Sequence, residues 1–195
     1  MKKFIIFLLV GLSLITACNK EQDEIVPLSE QEKTDLRFLR EEEKLARDVY
    51  VYSYNKYGES TFSSISNSEQ THMNSVLNLL NKYGLTDPVI NDAYGVFSNS
   101  ELKTLYNELT VKSDSSLNKA LEVGVNIEGL DINDIKIFKS HTSNIDLINV
   151  YDKLSCGSRN HLRSFVGQLG SYLPVYISQT EYDAIVNSSN EQCGQ

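Results

Sequence analysis

Residues 66–80 read SNSEQTHMNSVLNLL and set Glu69 three places before His72. On a helix that spacing is one face, and Met73, Val76, Leu77 and Leu80 continue it as an apolar stripe. A carboxylate and an imidazole on a buried stripe are costly unless something pairs them. A metal ion is such a partner, and Glu-x-x-His is the ligand spacing found inside carboxylate-rich metal bundles. The same interruption recurs along the chain. Glu43 falls between Leu39 and Ala46 on the stripe Leu36, Leu39, Ala46, Tyr50. Glu128 sits among Leu121, Val125, Ile132 and Ile135, with Asp131 one turn later, and His161 lies between Leu154 and Phe165. One buried histidine is ordinarily a satisfied core residue. Two histidines and three carboxylates at mid-length of four apolar stripes would repel or strand one another without a cation. Carboxylate and imidazole donors suit iron or manganese better than calcium, and the lack of thiolate ligands argues against structural zinc.

Other residues near these stripes read differently. Glu41 and Glu42 lie off the Glu43 line and are expected to be solvated, as in part are Lys44 and Arg47. Tyr50 follows Glu43 by seven on the same stripe, a place for a tyrosine that supports a ligand or takes part in redox chemistry, but in a chain with eleven tyrosines core packing is the preferred reading. His141 falls near a helix end, where a cation suits the dipole and solvent, and receives no site role.

The elements that must position the ligands follow from capping and periodicity. Ser29 with Glu32 forms a capping box that opens a first helix, which should stop at Tyr57-Gly58. A second helix runs from Ser60–Ser63 to Lys82. Residues 86–98, TDPVINDAYGVFS, show no period and read as a loop. Ser98 or Asn99 caps a shorter helix over 101–111. Ser113 to Ser116 then break the pattern and cap a third long helix, in which Gly124 and Gly129 each cost about 1 kcal/mol against alanine. Ser143 or Asn144 opens the fourth, ended by Gly170 and Pro174, and a short helix is expected near 180–186. The prediction is an all-α chain, a four-helix bundle with a long crossover that carries a short extra helix.

The start of the chain carries a different signal. MKKFIIFLLVGLSLITAC has two lysines, an apolar run and small residues before Cys18, a secretory signal peptide too short to be a membrane span. Its ending, Leu14-Ile15-Thr16-Ala17-Cys18, resembles the bacterial lipobox, in which the cysteine is acylated and becomes the new N-terminus. The organisation expected is a signal peptide over 1–17, a lipid-anchored tether over 18–30, the helical domain over 31–172 and a tail over 173–195. Net charge is −8 with no basic run, which excludes nucleic acid as a partner. Cys156 and Cys193 remain, with a disulfide and two free thiols both open. Neither has an adjacent base or Cys-x-x-Cys partner, so thiol catalysis is not expected.

Three segments together carry a family resemblance. REEEKLARDVY at 40–50, SEQTHM at 68–73 and GSRNHLRSF at 157–165 resemble domain-of-unknown-function family 2202, and 123–132 agrees less strictly through Ile127-Glu128 and Asp131-Ile132. The family belongs to the ferritin-like, rubrerythrin-related superfamily, whose pattern is Glu, Glu-x-x-His, Glu, Glu-x-x-His on four helices around two irons. The resemblance implies Glu43, Glu69, His72, Glu128 and His161 as metal ligands. Ser158 stands where the last motif has a glutamate, and Asp131 could compensate. The function implied is an envelope lipoprotein with an iron-binding, or manganese-binding, domain of one or two ions that oxidises ferrous iron or reduces peroxide or oxygen. The alternative is a non-catalytic binding or structural module that kept the fold. The partners expected are the membrane through the N-terminal lipid, a second copy in a homodimer, and an external electron donor for any redox chemistry, since rubredoxin-like cysteine pairs are absent.

Overall fold

The computed structural model describes residues 26–194, and the expected signal peptide, the lipid cysteine and most of the tether lie outside them. Among the described residues six helices and no strand are present: α1 (Glu30–Tyr57), α2 (Ser60–Lys82), α3 (Ser100–Ser113), α4 (Leu117–Ser140), α5 (Ile145–Leu169) and α6 (Gln179–Val186). None is long and apolar enough to cross a membrane.

Local chemistry sets the ends. Ser29 and Glu32 close a reciprocal capping box at α1, and Gly58 stops that helix in the left-handed conformation, φ 66°, that glycine adopts without strain. Asn99 caps α3, Ser116 caps α4 and Asn144 caps α5. With Gly58 and Glu59 alone between them, α1 and α2 form an antiparallel hairpin, and α4 with α5 forms a second across residues 141–144. The hairpins pack so that α1 meets α4 and α2 meets α5. Residues 83–116, which include α3, cross from one hairpin to the other and pack on α1 and α4.

Two apolar clusters fill the bundle. One centres on Tyr50, Phe62, Ile127, Leu162 and Phe165; the other on Leu36, Leu39, Leu80, Ile135, Leu147 and Tyr151. Gly124 belongs to the first, for a Cβ there would stand 2.7 Å from the Phe165 ring, itself packed on Tyr50 and Phe62 with centroids 5.2 and 5.6 Å away.

The charged outer face expected for α1 is absent. Glu41 and Glu42 are 3 % and 1 % exposed, Lys44 is fully buried and Arg47 is 6 % exposed. The crossover covers Glu41, Lys44 and Arg47, while Glu42 faces Asp134 on α4. Glu41 accepts from the backbone N–H groups of Ser98 and Asn99. Lys44 Nζ donates to Asp48 and to the Ala93 carbonyl, and Arg47 bridges Asp48, Asp92 and Gln70. Buried ions such as Glu41, Lys44 and Arg47 persist where they are paired in this way.

Candidate metal centre

Between the two clusters, at mid-length of α1, α2, α4 and α5, the polar interruptions of the four stripes converge. Glu43, Glu69 and Glu128 have no solvent exposure; His72 and His161 keep 8 % each. Glu43, Glu69 and His72 form one group whose donor atoms all lie within 4.8 Å of one another, and Glu69, Glu128 and His161 form another. Glu69 belongs to both.

Its two oxygens face opposite ways. Oε2 lies 2.7 Å from His72 Nδ1, which is also 3.1 Å from Glu43 Oε2. Oε1 lies 2.8 Å from His161 Nδ1, which is 3.4 Å from Glu128 Oε2. Despite these short separations, both Glu69 oxygens, Glu43 Oε1, Glu128 Oε2 and His161 Nδ1 make no properly directed hydrogen bond. Apart from the His72–Glu43 contact, these atoms crowd around common points and do not aim at one another. Neighbouring ligands on an octahedral ion with bonds of about 2.1 Å stand about 3 Å apart, and the observed separations bracket that value. Three carboxylates and two neutral imidazoles carry three negative charges, which divalent ions offset. The residues fit a metal centre of two positions with Glu69 between them.

Surrounding groups hold the ligands. Tyr50 Oη donates to Glu128 Oε1 over 2.6 Å, which turns Oε2 toward His161. His161 Nε2 lies 3.0 Å from Ser68 Oγ, so when Nδ1 holds a metal the Nε2–H is donated to that hydroxyl. His72 rests on Gly157, where a Cβ would stand 2.6 Å from Nε2, and the two imidazoles stack at 5.5 Å.

Without metal, protons supply the missing positive charge. Burial lowers the pKa of both histidines, but Glu69 and a second carboxylate outweigh it. His161 is raised to about 10 and His72 well above its usual value. Burial pushes Glu43 up to about 7 against the pull of His72. Glu69, also raised by burial, is brought far below the carboxylate range by His161 and His72.

Asp131 is fully buried but lies outside both groups. Ser158 is buried and spends its hydroxyl on the Leu154 carbonyl over 3.1 Å. His141 pairs with Asp35 over 2.8 Å at the far end of α4. Cys156 and Cys193 are joined by a disulfide with Cα atoms 5.5 Å apart. Ser68 and Gly157 had no part in the sequence reading, and a glycine beside Ser158 carried no signal. Tyr50, preferred there as core packing, is in the core and also donates to Glu128.

A family model described as an uncharacterized protein domain, DUF2202, matches residues 32–189. The chain belongs to this family. Within DUF2202, the chain is similar to the uncharacterized protein MJ0754 of Methanocaldococcus jannaschii, 50 % identical over 170 residues, which cover 85 % of this chain and 92 % of that protein. The crystal structure of the hypothetical protein MJ0754 superposes with a TM-score of 0.84 over 85 % of this chain and 97 % of that one. The DUF2202 match takes in all five residues of the two groups.

Proposed function

We propose that this chain is a bacterial envelope lipoprotein whose ferritin-like domain binds two metal ions, iron in the first instance and manganese as the alternative, and uses them to oxidise ferrous iron or to reduce peroxide or oxygen. The observation that carries the reading is the placement of Glu69, one carboxylate shared by two three-residue groups, with both its own oxygens, Glu43 Oε1 and Glu128 Oε2 left without a hydrogen bond. The leader ending in Ala17-Cys18 supports the envelope location and the lipid anchor.

Bound iron supplies one-electron chemistry at each position. The protein's part is to hold the positions and manage charge. Glu43 and His72 would hold one ion, Glu128 and His161 the other, and Glu69 offers an oxygen to each group. Tyr50 and Ser68 orient Glu128 and His161, and the apolar clusters above and below keep bulk water out. Electrons for reducing oxygen or peroxide come from an external donor.

A second reading, a helical module that uses metal only for stability, is favoured by one feature. Ser158 hydrogen-bonds to its own helix, so α5 contributes a single ligand.

Metal analysis tests the first step. Protein purified under reducing conditions and reconstituted with ferrous iron should hold close to two ions per chain, and His72→Ala with His161→Ala should lose both. Metal content unchanged by those substitutions would show the centre to be elsewhere. Oxygen uptake on adding ferrous iron then separates redox use from stabilisation.

A further inference from the structure

A groove of about 650 Å³ runs between α4, α5, α6 and the tail that follows α6. Ile132 and Ile135 of α4 and Ala184 and Ile185 of α6 give it apolar walls. Four cations line it as well, Lys136 and Lys139 from α4 and Arg159 and Arg163 from α5, against three acids, Asp152, Glu181 and Glu191. The lining is thus left with one positive charge in a chain whose net charge is −8. A hollow of this size, with apolar walls and a few convergent polar groups, has the usual form of a small-molecule site.

One part of the groove already holds a carboxylate. Arg159 Nε donates to Glu191 Oε1 over 2.8 Å and its Nη2 donates to Oε2, while Arg163 Nη2 donates to Oε1 over 2.7 Å. Two guanidiniums closed on one carboxylate form the forked geometry by which arginine recognises this group. The Arg159 guanidinium, with Arg163 beside it, holds the Glu191 carboxyl down at about 2. The tail does not depend on that side chain. Asn160 accepts from the Glu191 N–H over 2.9 Å and donates to the Glu191 carbonyl over 3.1 Å, and the Cys156–Cys193 disulfide pins the chain two residues on. The Glu191 side chain is 33 % exposed, so it can turn out into solvent while its backbone stays in place. The Lys136–Glu181 pair across the groove, 3.1 Å long with 67 % of the lysine side chain exposed, is of the solvated kind that contributes little and exchanges readily.

We propose that this groove is a binding site for an organic carboxylate with an apolar body, whose acid group replaces that of Glu191 between Arg159 and Arg163. The apolar part lies along Ile132, Ile135 and Ile185, and Lys136 and Lys139 favour an anion at the mouth. Glu191 is the built-in competitor of the site. It keeps the two guanidiniums paired while the groove is empty and gives way only to a ligand that adds something to the exchange. A short acid brings the same group without the tether and gains nothing; an acid with an apolar body gains the burial of that body. The site stands apart from the Glu69 centre and does not require metal there.

Decanoate is the probe, titrated by calorimetry into the disulfide-bonded protein, with acetate, decanol and decyl phosphate for comparison. The wild type should bind one decanoate, and Glu191→Gln should bind it roughly tenfold tighter, because the charged competitor is gone. Adding Arg163→Gln to Glu191→Gln should cancel that gain and cost roughly a further tenfold. Ala184→Trp fills the groove from an exposed position without altering charge, and should block binding. Circular dichroism and thermal melting check the fold of each variant. Acetate and decanol should each bind at least roughly tenfold more weakly than decanoate. A wild type that binds no decanoate at millimolar concentration overturns the site, as does binding that Ala184→Trp leaves unchanged. Equal affinity in wild type and Glu191→Gln overturns the exchange with Glu191. Decanol bound as well as decanoate overturns the role of the two arginines, and decyl phosphate bound in preference to decanoate overturns the carboxylate assignment.

Discussion

The Tyr50 phenol donates to Glu128 Oε1 over 2.6 Å, and so decides which oxygen of that carboxylate is left to face His161. Tyr50 is packed between Phe62 and Phe165 and fully buried, so no water replaces its hydroxyl. In Tyr50→Phe the affinity at the Glu69–Glu128–His161 position should fall roughly 10- to 100-fold, the usual loss for a group that orients a ligand. The Glu43–Glu69–His72 position should change less. Stepwise metal titration by calorimetry reads the two separately, and equal weakening of both would count against this role.

Gly157 is a packing requirement of His72. A Cβ at 157 would stand 2.6 Å from Nε2 and 2.7 Å from Cε1 of a ring held on its other side by two carboxylates. Gly157→Ala should cost about 1–3 kcal/mol, as overpacking does, and weaken the first metal equivalent. Gly167 on the same helix has nothing within 4 Å of a built Cβ. Gly167→Ala should therefore stabilise by up to about 1 kcal/mol through helix propensity. Urea unfolding of the pair measures both, and similar outcomes for the two would rule out the contact as the cause.

The metal-free protein should lose stability as pH rises. His161 is raised from 6.5 to about 10 when folded, so its contribution is complete below about pH 6.5 and is lost as pH climbs toward 10. Glu43, raised to about 7, acts in the same direction, since the folded state holds its proton longer than the unfolded one between about pH 4.5 and 7. Metal uptake displaces those protons, so apparent affinity should rise over the same range, about tenfold per pH unit for each proton released. Melting curves at pH 6 and pH 9 should shift down without metal, and the gain on adding metal should be larger at pH 9. A metal-free protein more stable at pH 9 than at pH 6 contradicts the assignment.

The disulfide ties a tail that other contacts already hold. Glu191 accepts from Arg159 and Arg163, and Asn160 bonds the Glu191 backbone. Closing a loop of 37 residues is worth about 4 kcal/mol by the chain-entropy estimate. Reduction, or Cys156→Ser with Cys193→Ser, should lower unfolding free energy by about 2–4 kcal/mol while leaving metal stoichiometry intact. Loss of metal on reduction would mean that the tail sets the position of Gly157 and His161.

The helices and the five residues of the two groups were legible because their signals are local. Ser29 with Glu32, Gly58 and Asn144 act through hydrogen bonds within a few residues. Glu43, Glu69, His72, Glu128 and His161 each break an apolar period, which marks a buried polar group without knowledge of its neighbours. The burial of Glu41, Lys44 and Arg47 was not legible, because residues 86–98, which have no period, dock on them through backbone groups and Asp92. Opposite charges four apart at Lys44 and Asp48 were the available hint, and on an exposed helix they would look the same. Gly124 read as a weakness of α4, whereas it makes room for Phe165, a contact 41 residues away in the chain.

The small exposure of His72 and His161 sets a limit on what can react. Every carboxylate of the centre is sealed, and only the imidazole edges on the α2–α5 side touch solvent. Any reactant at the centre would have to reach it past those two rings. An electron donor of the kind proposed would meet the imidazole edges before any of the carboxylates.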